Sequence, residues 1–342
     1  MERALQLGLE PLTLLADEQP AALILFSGPP STAGGPNTLE RELKAAGFRV
    51  VAFDKLAGGD AHDLSRTDLQ SAIRRRVRSG EFVFIFAGTP CSPYSIARGG
   101  AACPPLHTAS GPVTPCPPGW EAHRAMHDDF IKFTCDIFRD GSAVAALCIL
   151  ENPADVSSPG PAHWAAKAHH GSIFKTAAVR QLCDDVHLLS LDFAQCAFGG
   201  AFRKWTTFLF SVELYDLVAG WRHFGCAHGF GKHQDVAYGR DELGAAKSAR
   251  AAAYPEGMNQ AIAALVVAFQ ARRAQPDGPP GVGRAADGPR LSPAIRTACE
   301  AAASHPARFS SLRNLRPASD AELRAEPLPE LHPPEPPVPR RL

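Results

Sequence analysis

Short apolar runs alternate with helix-patterned polar stretches over residues 21–87. AALILF (21–26) reads as a buried strand, ended at Gly28. A helix is predicted to open near Thr38, to cover LERELKAAG and to stop at Gly47. FRVVAFD (48–54) is the second strand, residues 65–80 form a second helix with a capping-type start, and FVFIFAG (82–88) is the third strand. Strands spaced by helices predict a parallel sheet with crossover helices, an α/β fold.

The rhythm breaks at residues 98–120, where glycines and prolines predict a loop, and a helix resumes from Trp120 to about Arg139. Residues 142–153 read as a fourth strand. VHLLSLDF (186–193) and WTTFLFSVEL (205–214) read as two later strands around a Gly-rich turn. An amphipathic helix is expected over 255–273, with Pro255 in its first turn. From residue 274 periodicity is lost, and PLPELHPPEPPVPRRL should be extended and solvated, so 274–342 is predicted to be a largely disordered Pro-rich tail. Within it, residues 309–331 keep enough apolar spacing to fold on a protein partner. Residues 1–18 are an N-terminal extension, 19–273 the catalytic-type domain, and 213–247 a short insert for recognition or metal binding.

Composition narrows the setting. Of 342 residues 45% are hydrophobic, enough for a sizeable core. Lys+Arg and Asp+Glu number 35 each, which argues against holding nucleic acid by bulk charge but leaves room for a local basic groove. The 9 cysteines are odd in number and spread along the chain, unlike a disulfide framework. No secretory signal and no membrane-length apolar run is present, so a reducing intracellular setting without membrane contact is expected, nucleus and cytoplasm being indistinguishable.

The candidate chemistry sits at strand ends, where α/β enzymes place reacting groups. Cys91 lies in GTPCSPYS (88–95), directly after the third strand. A thiolate in such a turn can attack an electron-poor ring carbon, and the bland alternative is a buried structural thiol. Asp54 ends the second strand, where an acid commonly binds ribose hydroxyls. Glu151 opens ENP (151–153) after the fourth strand, and Arg203 and Lys204 form a basic pair following Gln195.

Taken in order, these motifs resemble the cytosine-5 methyltransferase family over roughly residues 21–270. GTPCSPYS is similar to the family's Pro-Cys loop, with Ser92 in place of the usual glutamine and Tyr94-Ser95 in place of Phe-Ser. ALILFSGPPSTAGG is similar to its opening cofactor turn: Phe26 and Gly28 match, Pro30 stands where a second glycine is usual, and Gly34 and Gly35 follow. ENP resembles its Glu-Asn motif, QCAFGGAFRKWTTFLFS (195–211) its Gln-basic strand, and the Tyr254-Pro255 step with Asn259 its closing helix.

The resemblance implies a Rossmann-like class I S-adenosylmethionine-dependent methyltransferase sheet with flanking helices. It implies methyl transfer to carbon 5 of cytosine in DNA through a covalent Cys91 adduct. Glu151 would act as general acid at ring nitrogen 3, with Arg203 or Lys204 on the base carbonyl or a phosphate. Phe26, Ser27, Gly28, Asp54, Asp63, Pro90 and Asn259 would form the cofactor set, Asp63 meeting the adenine amino group. Two other readings stay open: an RNA cytosine-5 methyltransferase, because 213–247 is short for a base-reading domain, and a methyltransferase-like binding or scaffold protein that no longer catalyses.

Outside that set, WRHFGCAHGFGKHQ (221–234) brings His223, Cys226, His228 and His233 close in sequence. Thiolate and imidazole at such spacing suit a tetrahedral Zn2+ site; a flexible His-rich loop is the other reading.

Overall fold

The computed structural model of the chain describes residues 19–28, 38–94, 98, 103–108, 110–157, 171–202, 204–226, 228, 233 and 252–273. The extension 1–18, Pro30, Gly34, Gly35, Ser95, Arg203, most of 227–251 and the tail 274–342 lie outside the described residues.

Six strands form one mixed sheet, compatible with a Rossmann-like fold: β1 Ala21–Leu25, β2 Arg49–Phe53, β3 Phe82–Ala87, β4 Leu147–Pro153, β5 Leu188–Ala194 and β6 Trp205–Ser211. Their order is β2-β1-β3-β4-β6-β5. The first four are parallel, with Leu23 paired to Val51 and Ile85; β6 runs antiparallel to both β4 and β5.

Every residue of β1 and β3 is buried, as expected of apolar strands covered on both faces. Alternate side chains feed two core layers. Leu23, Leu25, Ile85 and Leu150 pack with Ile73 and Val77 of helix α2 (Thr67–Arg78), Ile137 and Phe138 of α3 (Glu121–Ala143), and Val179 and Leu182 of α4 (Ala177–Asp185). Ala22, Ile24, Phe84 and Phe86 face the opposite layer, with Leu43 of α1 (Leu39–Ala45) and Met258 and Ile262 of α5 (Glu256–Arg273).

Local signals place several ends well. The Thr38 hydroxyl accepts from Arg41 N at 3.2 Å and caps α1. Other expectations are corrected. The helix of 65–80 has no side-chain cap, because Ser65 is engaged by Asp63 instead. The fourth strand starts at Leu147 rather than 142, because α3 continues to Ala143 over an apolar face that packs on β3. The segment 98–120 holds a two-residue ribbon pairing His107 with Pro112. Helix α4 was not anticipated, nor was the run of short helices Val212–Leu214, Tyr215–Val218 and Ala219–His223, where residues expected to extend the last strand turn back to bury Leu214, Val218 and Trp221. Among the described residues no helix is long and apolar enough to cross a membrane.

Candidate active site

The turn after β3 is held from several directions. The Asn152 side chain at the end of β4 donates to the Thr89 carbonyl at 2.7 Å, and the Thr89 hydroxyl lies 3.0 Å from that of Thr134 on α3. Tyr94 N donates to the Cys91 carbonyl at 2.9 Å, closing the short turn Ser92–Tyr94. The Tyr94 hydroxyl donates to Asp128 at 2.6 Å, while its ring stacks on His107 at 4.3 Å. Ser92 meets His123 Nε2 at 3.2 Å. Burial pushes the Cys91 thiol up from its ordinary pKa, the positive charge of Lys204 opposes that shift and the negative charge of Glu151 adds to it. Cys91, Lys204 and Glu151 therefore share one electrostatic neighbourhood.

Glu151 is buried, 4% exposed. Its Oε2 accepts from the Tyr254 hydroxyl at 2.7 Å. Its Oε1 lies 3.5 Å from Lys204 Nζ, Gln195 Nε2 and the Thr206 hydroxyl, and Gln195 Nε2 donates to Thr206 at 2.9 Å. These partners reach Glu151 on β4 from three places: Gln195 from the turn after β5, Lys204 and Thr206 from around the start of β6, and Tyr254 from the entry to α5. Burial, with the neighbouring Glu151, holds Tyr254 well above the usual phenol pKa, so it stays a donor.

Glycine at position 88 is explained by this approach. A Cβ there would lie 2.6 Å from the Tyr254 hydroxyl and 3.4 Å from the Phe26 carbonyl. The Lys204 ammonium sits 5.6 Å from the centre of the Tyr254 ring. Of the sequence-predicted catalytic residues, Glu151 and Lys204 meet at 3.5 Å, Cys91 lies within electrostatic reach of both, and Arg203 lies outside the described residues. Sequence reasoning did not single out Tyr254, Gln195 and Thr206 as contacts of Glu151. The available signals were an aromatic-Pro step at a helix entry and a glutamine at a strand end.

A cavity of about 150 Å³ adjoins this clamp, bounded by Gln195, Gly200, Phe202, Tyr254 and Pro255. Cys91 and Glu151 do not line it.

The carboxyl ends of β1 and β2 form a second polar cluster. Phe26 adopts a left-handed φ of 58°, uncommon outside glycine, and Gly28 follows at 77°. Asp54 joins the two strand ends, accepting from Gly28 N at 3.0 Å and Leu56 N at 2.7 Å. Asp63 accepts from Ser65 N at 3.0 Å and from Lys55 Nζ at 2.6 Å. The hydrogen bond from Lys55, with those from Ser65, lowers its pKa to about 2.

This cluster fits S-adenosylmethionine in part. An ionised carboxylate offers about four lone-pair sites, so Asp54 keeps acceptor capacity for ribose hydroxyls beyond its two amides. Asp63 is committed to Lys55 and Ser65. Pro90 sits in the Cys91 turn, and Asn259 is buried in the first turn of α5.

Three of the four predicted metal ligands also converge. Cys226, His228 and His233 have ligand atoms within 4.8 Å of one another, and the fourth member of the cluster is Cys196, not His223. His223 ends the preceding short helix. No known protein family, characterised protein or solved structure matches the chain.

Proposed function

We propose that the chain transfers a methyl group from S-adenosylmethionine to carbon 5 of cytosine in DNA, on a class I methyltransferase-type sheet, with Cys91 as nucleophile. The observation that carries this reading is the placement of Cys91 and Glu151 at neighbouring strand ends. They lie at the carboxyl ends of adjacent parallel strands, and Asn152, the residue after Glu151, anchors the Cys91 turn through the Thr89 carbonyl. A nucleophile and a carboxyl group are thereby fixed to one rigid sheet.

The chemistry assigned to these residues is as follows. The target base leaves its stack, at a cost of a few kcal/mol in duplex. The Cys91 thiol gives up its proton to water, Sγ bonds to ring carbon 6, and ring nitrogen 3 takes a proton from Glu151. Such general-acid help is typically worth about 10²–10⁴-fold. Lys204 favours the thiolate that burial opposes. Tyr254, Gln195 and Thr206 hold the Glu151 carboxyl in one orientation. S-adenosylmethionine supplies the electrophilic methyl group and would be held by Phe26, Ser27, Gly28 and Asp54. Once carbon 5 has taken the methyl group, leaving S-adenosylhomocysteine as the neutral thioether, the carbon 5 proton passes to water or a base. The sulfur–carbon bond then breaks, and nitrogen 3 returns its proton to Glu151.

Incubation with labelled S-adenosylmethionine and a panel of DNA and RNA tests the reaction, and a 5-fluorocytosine substrate tests the adduct. The expected results are label in cytosine and a covalent complex, both lost in Cys91→Ala. Full transfer by Cys91→Ala would overturn the mechanism. Label appearing only in RNA would replace the substrate.

A second reading, a methyltransferase-like binding protein without catalysis, is favoured by one observation: Asp63 is ion-paired to Lys55 rather than open to a ligand. Calorimetry separates the two, because that reading expects no heat with S-adenosylmethionine.

A further inference from the structure

We infer that Cys196, Cys226, His228 and His233 form a structural zinc site that ties the turn after β5 to the loop after the short helices. This site stands apart from the methyl-transfer reading. Its members lie far apart in sequence: Cys196 is in the turn Gln195–Phe198, while the other three lie beyond Phe224. The fold brings them together without the metal. Ala194 N donates to the Phe224 carbonyl at 2.8 Å, pinning the two segments side by side. Phe198 packs on Trp221 at 4.9 Å and on Phe224 at 5.2 Å, and Phe193 packs on Trp221 at 5.5 Å.

The donor atoms are arranged for one ion. All four lie within 4.8 Å of one another. Cys226 Sγ is 3.2 Å from His233 Nε2 and 3.9 Å from His228 Nδ1. Tetrahedral zinc with bonds of about 2.0–2.3 Å needs donors roughly 3.3–3.8 Å apart, so a contraction of about 1–1.5 Å at most closes the set. Two thiolates and two imidazoles select zinc over magnesium or calcium, which prefer oxygen. Four protein ligands leave no open position, which marks a structural rather than a catalytic site. Binding releases the two thiol protons.

The location gives the ion a task. Cys196 follows Gln195, whose amide meets Glu151 and Thr206 and which bounds the neighbouring cavity. An ion on Cys196 therefore fixes the backbone that carries Gln195.

The test is the metal content of the full chain, purified from zinc-supplemented cells under reducing conditions. One zinc per chain is expected, lost in Cys226→Ser and in His233→Ala and retained in His223→Ala. Cobalt(II) added to the chelator-stripped protein should give thiolate-to-metal absorption that Cys196→Ser abolishes. Because the Cys196 variant touches a buried turn, the Cys226 variant, at a more exposed position, gives the same readout with less risk to folding. A zinc-free wild type, a Cys196–Cys226 disulfide in place of metal, or loss of zinc in His223→Ala with retention in Cys226→Ser would each overturn the assignment. None of these outcomes depends on methyl transfer.

Discussion

The two polar clusters at the carboxyl edge of the sheet are built in opposite ways. Around Glu151 of β4, side chains from the turn after β5, the start of β6 and the entry to α5 meet a buried carboxyl group. Around Asp54 and Asp63, most partners among the described residues are sequence neighbours: Leu56, Ser65 and Lys55, with Gly28 a distant one. The first cluster depends on the whole fold and is shielded from water. The second is a local turn network open to solvent. A long-range buried cluster is expected to be sensitive to single changes, because an unpaired buried group bears its full desolvation cost. A local exposed one is expected to be tolerant.

Three changes probe that contrast, in falling order of effect. Glu151→Gln keeps the shape of the side chain but removes the acid. On the proposed mechanism methyl transfer falls by about 10²–10⁴-fold with little change in fold. Initial rates together with circular dichroism check this, and near-normal rates would remove Glu151 from the chemistry. Tyr254→Phe deletes the donor to Glu151 Oε2 and leaves a buried acceptor unpaired, which should lower unfolding stability by about 1–3 kcal/mol. Urea unfolding measures it, and an unchanged midpoint would mean that the clamp is looser than its geometry.

Asp63→Asn should have the smallest effect, present near neutrality and vanishing in acid. The Asp63 pKa is depressed from 3.8 to about 2, so its contribution to stability is present above the unfolded value and is lost as pH falls through about 2. Wild type and Asp63→Asn should therefore differ near neutrality and converge as the pH falls toward 2. Urea midpoints at a series of pH values read this out. A gap that widens in acid would have the wrong sign and break the account.

The legibility of the site follows the same division. Asp54 and Asp63 were identifiable from position, and the turn partners that engage them follow within a few residues. Cys91, Glu151 and Lys204 were also identifiable, because each lies at or beside a strand end and each strand is marked by its apolar run. Tyr254 was legible only as an aromatic residue before proline. Its contact with Glu151 spans 103 positions and needs glycine at 88 to make room. In the metal cluster, sequence proximity favoured His223 over Cys196. The aromatic packing of Phe198 with Trp221 and Phe224 reversed that choice.

By itself the sequence determined the α/β rhythm, the cap at Thr38 and the strand-end positions of Cys91 and Glu151. Those features depend on apolar periodicity and on contacts a few residues apart, which the order of residues encodes directly. The tertiary structure decided the reach of α3 to Ala143, the placement of β6 between β4 and β5, the polar clamp on Glu151 and the exchange of Cys196 for His223. Each of these depends on which distant surfaces pack together, and packing is a property of faces and volumes that no local run of residues carries.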